Sequence, residues 1–262
     1  VCSSDLFESG GQTFDPNLPN LSTLHFMDHQ HGYWIKMTSG DTLRLQGAAI
    51  DYTKTTISCE TGWNLISYLP SQPDSAAHAF TSVINNMTFA LGYNGTGQTF
   101  SPQLRLFNTL NVLLPGQGYW LKLNQPASVA YPTPLPGISS VRQHAAILAR
   151  DDNGETQNLG GTVMPTNEWI SLYGENIVYR GSLLAIGTEI KAKDQEGNEC
   201  GSFIVRKAGS FGLMPVYRDD PYTDMDEGAR PGERISLFFG NDQVPLNIKW
   251  TEMGAILNVG GL

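Results

Sequence analysis

Polar and apolar residues alternate along much of this chain. Asp41 to Gln46 (Asp-Thr-Leu-Arg-Leu-Gln) has the period of two that puts successive side chains on opposite faces of a half-buried strand. Further on, Ile190 and Ala192 alternate with Glu189, Lys191 and Lys193, and Ile235, Leu237 and Phe239 share a face. Val244, Leu246, Ile248 and Trp250 alternate with Pro245, Asn247, Lys249 and Thr251. Turn residues at Glu196-Gly197-Asn198, Ala208-Gly209 and Gly240-Asn241-Asp242 separate these runs, so roughly seven or eight short strands at sandwich spacing are expected. Thr55 to Leu69 reads as a strand pair centred on Trp63. The period changes over Asp74 to Met87, where Ala77, Phe80, Val83, Ile84 and Met87 recur at helical spacing and Asp74 or Ser75 offers a capping oxygen. One amphipathic helix is expected there, laid over a sheet made by the Trp63 and Trp120 strands.

A repeat organises the first half. Gly32-Tyr33-Trp34-Ile35-Lys36 recurs as Gly118-Tyr119-Trp120-Leu121-Lys122, an offset of 86 positions. The same offset matches Phe14 with Phe100, Pro16 with Pro102, Leu18 with Leu104, Thr23 with Thr109 and Leu24 with Leu110. Self-similarity at a long period marks modular architecture. The second copy is preceded by Gly62 to Pro70 and the helical segment, for which the first has no counterpart. Residues 1–52 are therefore expected to be a truncated first repeat and 53–131 a second repeat with a helix near 74–87. Tyr131-Pro132-Thr133-Pro134-Leu135-Pro136-Gly137 cannot continue a hydrogen-bonded ladder, which makes 132–140 a Pro-rich linker and 141–262 a β-sandwich. Val1 to Leu6 fits neither the repeat nor a start codon, and resembles translated adapter sequence joined to environmental DNA, an expectation the coding nucleotides would test.

Two stretches carry a resemblance. Gly62-Trp63-Asn64-Leu65-Ile66-Ser67, a helix, and Leu114 to Trp120 resemble small modules repeated in large exported proteins of environmental bacteria and archaea. Val163 to Phe239, with Gly187-Thr188-Glu189-Ile190, Cys200-Gly201-Ser202-Phe203 and Ala208 to Gly212, resembles the transthyretin-like β-sandwich modules of such proteins. The resemblance implies a mainly β fold with one or two helices, in which a repeated small α+β module precedes an antiparallel transthyretin-like sandwich. It carries architecture more than activity, because such modules accompany hydrolases, adhesins and surface-layer proteins alike.

Composition narrows the function classes. The chain of 262 residues has 28 Gly, 15 Pro and only 16% charged residues, a β-rich and secreted profile. Its net charge of −9 without a Lys/Arg cluster opposes a polyanion, which excludes nucleic acid as the main partner. No apolar run reaches the ~18 residues of a membrane span. Cys2, Cys59 and Cys200 are too few and too scattered for a disulfide framework or thiolate zinc site, and Cys59 reads as a small buried strand residue.

Three groups of side chains are candidates for chemistry. Tyr33, Trp34, Tyr119 and Trp120 could stack on pyranose rings, although large aromatics in alternating strands usually serve a core. Asp219, Asp220, Asp224, Asp226 and Glu227 lie in one Pro/Gly-bounded loop and could give a calcium ion hard oxygen ligands, without EF-hand spacing; a solvated acidic loop is the alternative. His25, Asp28, His29 and His31 suit zinc by composition. Their counterparts at the repeat offset, Asn111, Leu114, Pro115 and Gln117, show that the unit folds without them. No nucleophile elbow, phosphate-binding loop, His-Glu-x-x-His or dinucleotide fingerprint occurs. The chain is accordingly read as non-enzymatic, with no cofactor beyond calcium as a candidate ion. The expected role is scaffolding or adhesion within a large secreted or cell-surface bacterial protein, its partners being polysaccharide or other extracellular proteins. The alternative is a carbohydrate-binding region attached to a polysaccharide-degrading enzyme.

Overall fold

The computed structural model describes residues 12, 14, 16–17, 19–35, 42, 44, 46–138, 163–221, 223 and 225–260. The protein is mainly β, with several antiparallel sheets and one α-helix among the described residues. None of its helices is long and apolar enough to cross a membrane among those residues. The described residues fall into two compact units, the first drawn from Val1–Gly92, Phe100–Gln103 and Leu110–His144, the second from Tyr93–Thr99, Leu104–Thr109 and Ala145–Leu262.

The first unit begins with β1 (Thr56–Cys59) and β2 (Gly62–Ser67), followed by the two-residue β3 (Asp74–Ser75), α1 (Ala76–Ala79) and β4 (Met87–Tyr93). After β5 (Gly97–Phe100), of which Gly97 to Thr99 belong to the second unit, come β6 (Val112–Leu113), β7 (Gly118–Leu123) and β8 (Ala127–Ala130). The strands of Trp63 and Trp120 do lie side by side, in the sheet run β2-β7-β4 with Leu65 opposite Trp120 and Ile66 opposite Tyr119. β1 and β2, adjacent in sequence, do not pair with one another: β1 pairs with β8, Thr56 opposite Ala130 and Cys59 opposite Ala127. Alternation tells which face a side chain takes and nothing of the strand beside it.

The helix is shorter than its apolar spacing suggests. α1 covers only Ala76–Ala79, capped by the Ser75 hydroxyl, which accepts a hydrogen bond from the His78 amide. Successive turns then carry the chain through Val83 and Asn86, with Thr81 N bonded to His78 O and Val83 N to Phe80 O. Thr81 donates its hydroxyl to the His78 carbonyl at 2.6 Å, the local competition by which Thr, Ser and Asn depart from a helical path. The buried positions are Ala76, Ala79, Phe80, Val83 and Met87, whereas Ala77 is exposed and Ile84 half-buried. These pack with Ile57, Ile66, Tyr68, Leu110, Leu113 and Tyr119 in one apolar cluster. Each fully buried large side chain contributes about 1.5–3 kcal/mol.

The first copy of the pentad forms no strand over its described residues. Residues 32–35 are irregular, and contact with the sheet runs through an isolated bridge from His31 to Ile66 and a hydrogen bond from Gly32 N to Leu65 O. Half of the strand expected over Asp41 to Gln46, namely Asp41, Leu43 and Leu45, falls outside the described residues, as does Lys36.

The second unit is a sandwich. Its strands are β9 (Trp169–Gly174), β10 (Val178–Tyr179), β11 (Ser182–Leu183), β12 (Glu189–Lys193), β13 (Glu199–Ile204), β14 (Phe211–Tyr217), β15 (Arg234–Phe239), β16 (Asp242–Lys249) and β17 (Ile256–Asn258). One sheet has the order β13-β12-β15-β16 and the other β14-β9-β17, while β10 and β11 form a small hairpin, which brings the strands above the seven or eight expected. Ile190, Ala192, Ile235, Leu237, Phe239, Val244, Ile248 and Trp250 all face the core, as their alternation predicts, with Ile170, Leu172, Met214 and Val216 from the opposite sheet. Among these strands the antiparallel pattern has one departure: β17 runs parallel to β9. Trp250, 1% exposed, gives its indole N–H to the Val216 carbonyl, and Trp169 packs at Gly97, where a Cβ would stand 2.7 Å from its ring. Cys59 and Cys200 are both buried in strands, and Cys2 lies outside the described residues.

Candidate functional site

The second Tyr-Trp pair serves the two faces of its sheet. Tyr119 is 4% exposed and sits in the apolar cluster beneath the sheet, while Trp120, 8% exposed, faces the other way. There Trp120 meets Trp63 edge to face at 6.0 Å, and Trp63 meets Phe89 at 5.4 Å. Lys122, opposite both Trp63 and Phe89 in register, lays its ammonium 5.2 Å and 5.6 Å from their rings. Tyr33 and Trp34 are half-buried.

One hydrogen bond recurs at the repeat offset. The Tyr33 hydroxyl accepts the Asp28 amide at 2.8 Å, and the Tyr119 hydroxyl accepts the Leu114 amide at 2.8 Å, each five residues upstream. The turn between them recurs as well. Gln117 N bonds to Leu114 O in the second copy, and His31 N bonds to the Asp28 carboxylate in the first. The tyrosine therefore ties down the turn that precedes its own strand. Burial pushes the Tyr119 hydroxyl well above its ordinary pKa, so it remains a neutral partner.

This turn also accounts for the histidine group. Asp28 accepts from Gln30 N, from His31 N and from the His31 ring at 2.7 Å, while His25 and His29 are exposed. The four side chains do not converge as metal ligands. A second carboxylate–imidazole pair, which the sequence pattern does not single out, joins Asp74 and His78 at 2.6 Å. Asp74 is 1% exposed and also accepts from Ser75 N and Leu135 N, so it holds β3, α1 and the Pro-rich segment together.

The acidic segment divides among separate tasks. Glu227 is buried, accepts the Thr223 hydroxyl at 2.6 Å and receives the Asp220 amide at 3.4 Å. Asp219 binds the Arg230 guanidinium at 3.1 Å, and Asp224 lies outside the described residues. Among the described residues of the expected set Asp226 alone joins a convergent group, and its partners come from the turn between β12 and β13: one oxygen each from Asp194, Glu196 and Asp226 lie within 4.8 Å of one another. Burial and the negative charges of Asp194, Asp219 and Glu233 push the Asp226 carboxyl up, against the pull of Arg230. The sequence signal for these partners is Asp194-Gln195-Glu196-Gly197-Asn198, whose last three residues read as a turn and whose two carboxylates stand apart from the acidic run. Three carboxylates of this kind form a hard-oxygen set suited to calcium or magnesium and unsuited to zinc, which favours nitrogen and sulfur.

Comparison of the chain with protein-family models, with known proteins and with solved structures finds no match.

Proposed function

We propose that this chain is a non-catalytic structural stretch of a large secreted or cell-surface protein, in which the Gly-Tyr-Trp units and the β-sandwich act as spacer or adhesion modules. The observation that carries this reading is the recurrent hydrogen bond from Asp28 to Tyr33 and from Leu114 to Tyr119. The repeated tyrosine closes a turn in both copies, and in the second the Tyr-Trp pair also fills both faces of a sheet, so the repeated tyrosine hydroxyl is already engaged within the chain. The sandwich buries alternating side chains to form a rigid body whose loops are open to variation.

A carbohydrate-binding region is the second reading, favoured by the half-buried state of Trp34 and Trp63, whose remaining exposed ring surface could take a sugar. The two readings separate in a pull-down and calorimetric screen against soluble and insoluble polysaccharides with the wild type, Trp34→Ala and Trp120→Ala. Scaffolding predicts no binding by any of them and a lower melting temperature for Trp120→Ala. Saturable binding by the wild type that Trp34→Ala abolishes while still folded would replace scaffolding with sugar recognition.

A further inference from the structure

The turn at Asp194 and the acidic loop leave carboxylate oxygens without donors. Asp194 is 3% exposed; its Oδ1 accepts the Asn198 amide at 2.7 Å, and its Oδ2 is buried with no hydrogen-bond partner. Asp226 Oδ1 is likewise buried and unpartnered. Such groups are costly, because a buried anion without compensation loses its hydration and gains nothing in return. Here the cost is compounded by convergence of the two aspartates with Glu196.

The cations among the described residues do not balance this set. Arg230 approaches Glu196 at 3.6 Å and Asp226 at 3.7 Å, but its closest contact is Asp219 at 3.1 Å and its side chain is 57% exposed. Glu233 accepts the Gln195 and Arg230 amides, each at 2.7 Å, and adds a further negative charge beside Glu196 and Asp226. One guanidinium thus faces three carboxylates, at Glu196, Asp219 and Asp226, and none of its contacts reaches Asp194.

We infer that Asp194, Glu196 and Asp226 form a calcium site that pins the acidic loop to the turn between β12 and β13. Their oxygens fit around an ion with Ca–O distances of about 2.3–2.6 Å, which places donors on opposite sides up to about 5 Å apart. Asp194 brings a donor from the buried side and Glu196 closes the site from the exposed side, where water completes the six to eight positions that calcium takes. The site is independent of the scaffolding role and would stand if the chain proved to bind sugar.

Thermal melts of the full chain in EDTA and in calcium test it, with calcium about tenfold above the ~1 mM dissociation constant of weak extracellular sites. Calcium raises the melting temperature of the wild type, and calorimetry gives one site in the range of about 0.1–1 mM. Asp194→Asn keeps the acceptor for Asn198 and removes the unpaired charge. It should melt above the wild type in EDTA yet show no response to calcium, an inversion that a purely structural aspartate would not give. Glu196→Gln should weaken binding roughly tenfold, and Asp220→Asn should leave it unchanged. Absence of calcium binding by the wild type, an Asp194→Asn variant that responds as the wild type does, or an equal response to magnesium alone would each overturn the assignment.

Discussion

Gly118 lies against Gly32, close enough that a Cβ built on Gly118 would stand 3.0 Å from the Gly32 Cα. The two glycines are the first residues of the two pentads, so the copies meet at the same position of their shared motif. On its other side Gly32 is hemmed in by Ile66 O and the Leu65 side chain, each 3.0 Å from where a Cβ on Gly32 would stand. Gly118→Ala should therefore destabilise the first unit by about 1–3 kcal/mol, as overpacking against backbone does. Gly47→Ala, where nothing lies within 4 Å, is the control and should be neutral. Urea denaturation followed by tryptophan fluorescence reads both, and equal midpoints would refute the close approach.

Tyr119→Phe removes the acceptor for the Leu114 amide without changing the packed ring. An amide left unpaired costs about 1–3 kcal/mol. Exchange of the Leu114 amide hydrogen should accelerate selectively. Tyr33→Phe should have a smaller effect, since its turn is more exposed and keeps the Asp28 contacts to Gln30 and His31. Unchanged protection at Leu114 would show that the hydroxyl is not what holds the turn.

Asp74→Ala should cost about 3 kcal/mol, well above the ~1 kcal/mol expected for loss of the Ser75 cap. The aspartate is almost wholly buried and serves three partners, whereas Ser75 makes one capping bond. Thermal unfolding of Asp74→Ala beside Ser75→Ala decides it, and the reverse order of effects would count against this account.

Alkaline pH should unfold the protein before its buried tyrosines ionise in place. Burial pushes the Tyr217 hydroxyl up to about 12, and raises those of Tyr68, Tyr119 and Tyr131. An unfolded tyrosine ionises near ~10, so with folded values above it their contribution is fully present below about pH 10 and is lost as pH rises towards the folded values. Near-ultraviolet absorbance of phenolate and far-ultraviolet dichroism should change together. Complete ionisation near pH ~10 with native dichroism would contradict the burial of these rings.

The sequence reveals faces better than neighbours. Ile235, Leu237 and Phe239 announce a buried side because a strand has a period of two, and the same logic places Ile190 and Ala192. It does not announce that β1 pairs with β8, since that choice depends on closure of the whole first unit. The helix at Ala76 is visible in its apolar spacing and its length is not, because beyond Phe80 the chain continues in turns bonded three residues back that bury Val83 and Met87 as a helix would. The acidic loop likewise stands out as a run of charge. Asp226, the convergent member among its described residues, gains Asp194 and Glu196 only when sheet topology brings a separate turn alongside it. By contrast, the structural character of Tyr119 is legible, for the motif recurs whole with its lysine and so reads as shared framework.

The clasp between β1 and β8 has a mechanical consequence. Thr56, where β1 begins, is the register partner of Ala130, where β8 ends, so tension along the backbone reaches both strands at the same end of their ladder. The rungs are then loaded one after another, from Thr56–Ala130 towards Cys59–Ala127, and not all at once. A ladder loaded in this way peels at low force. Contacts further out, from Gly32 to Leu65 on one side and from Leu135 to Asp74 on the other, lie ahead of the clasp along the chain, so it is loaded only once they have parted.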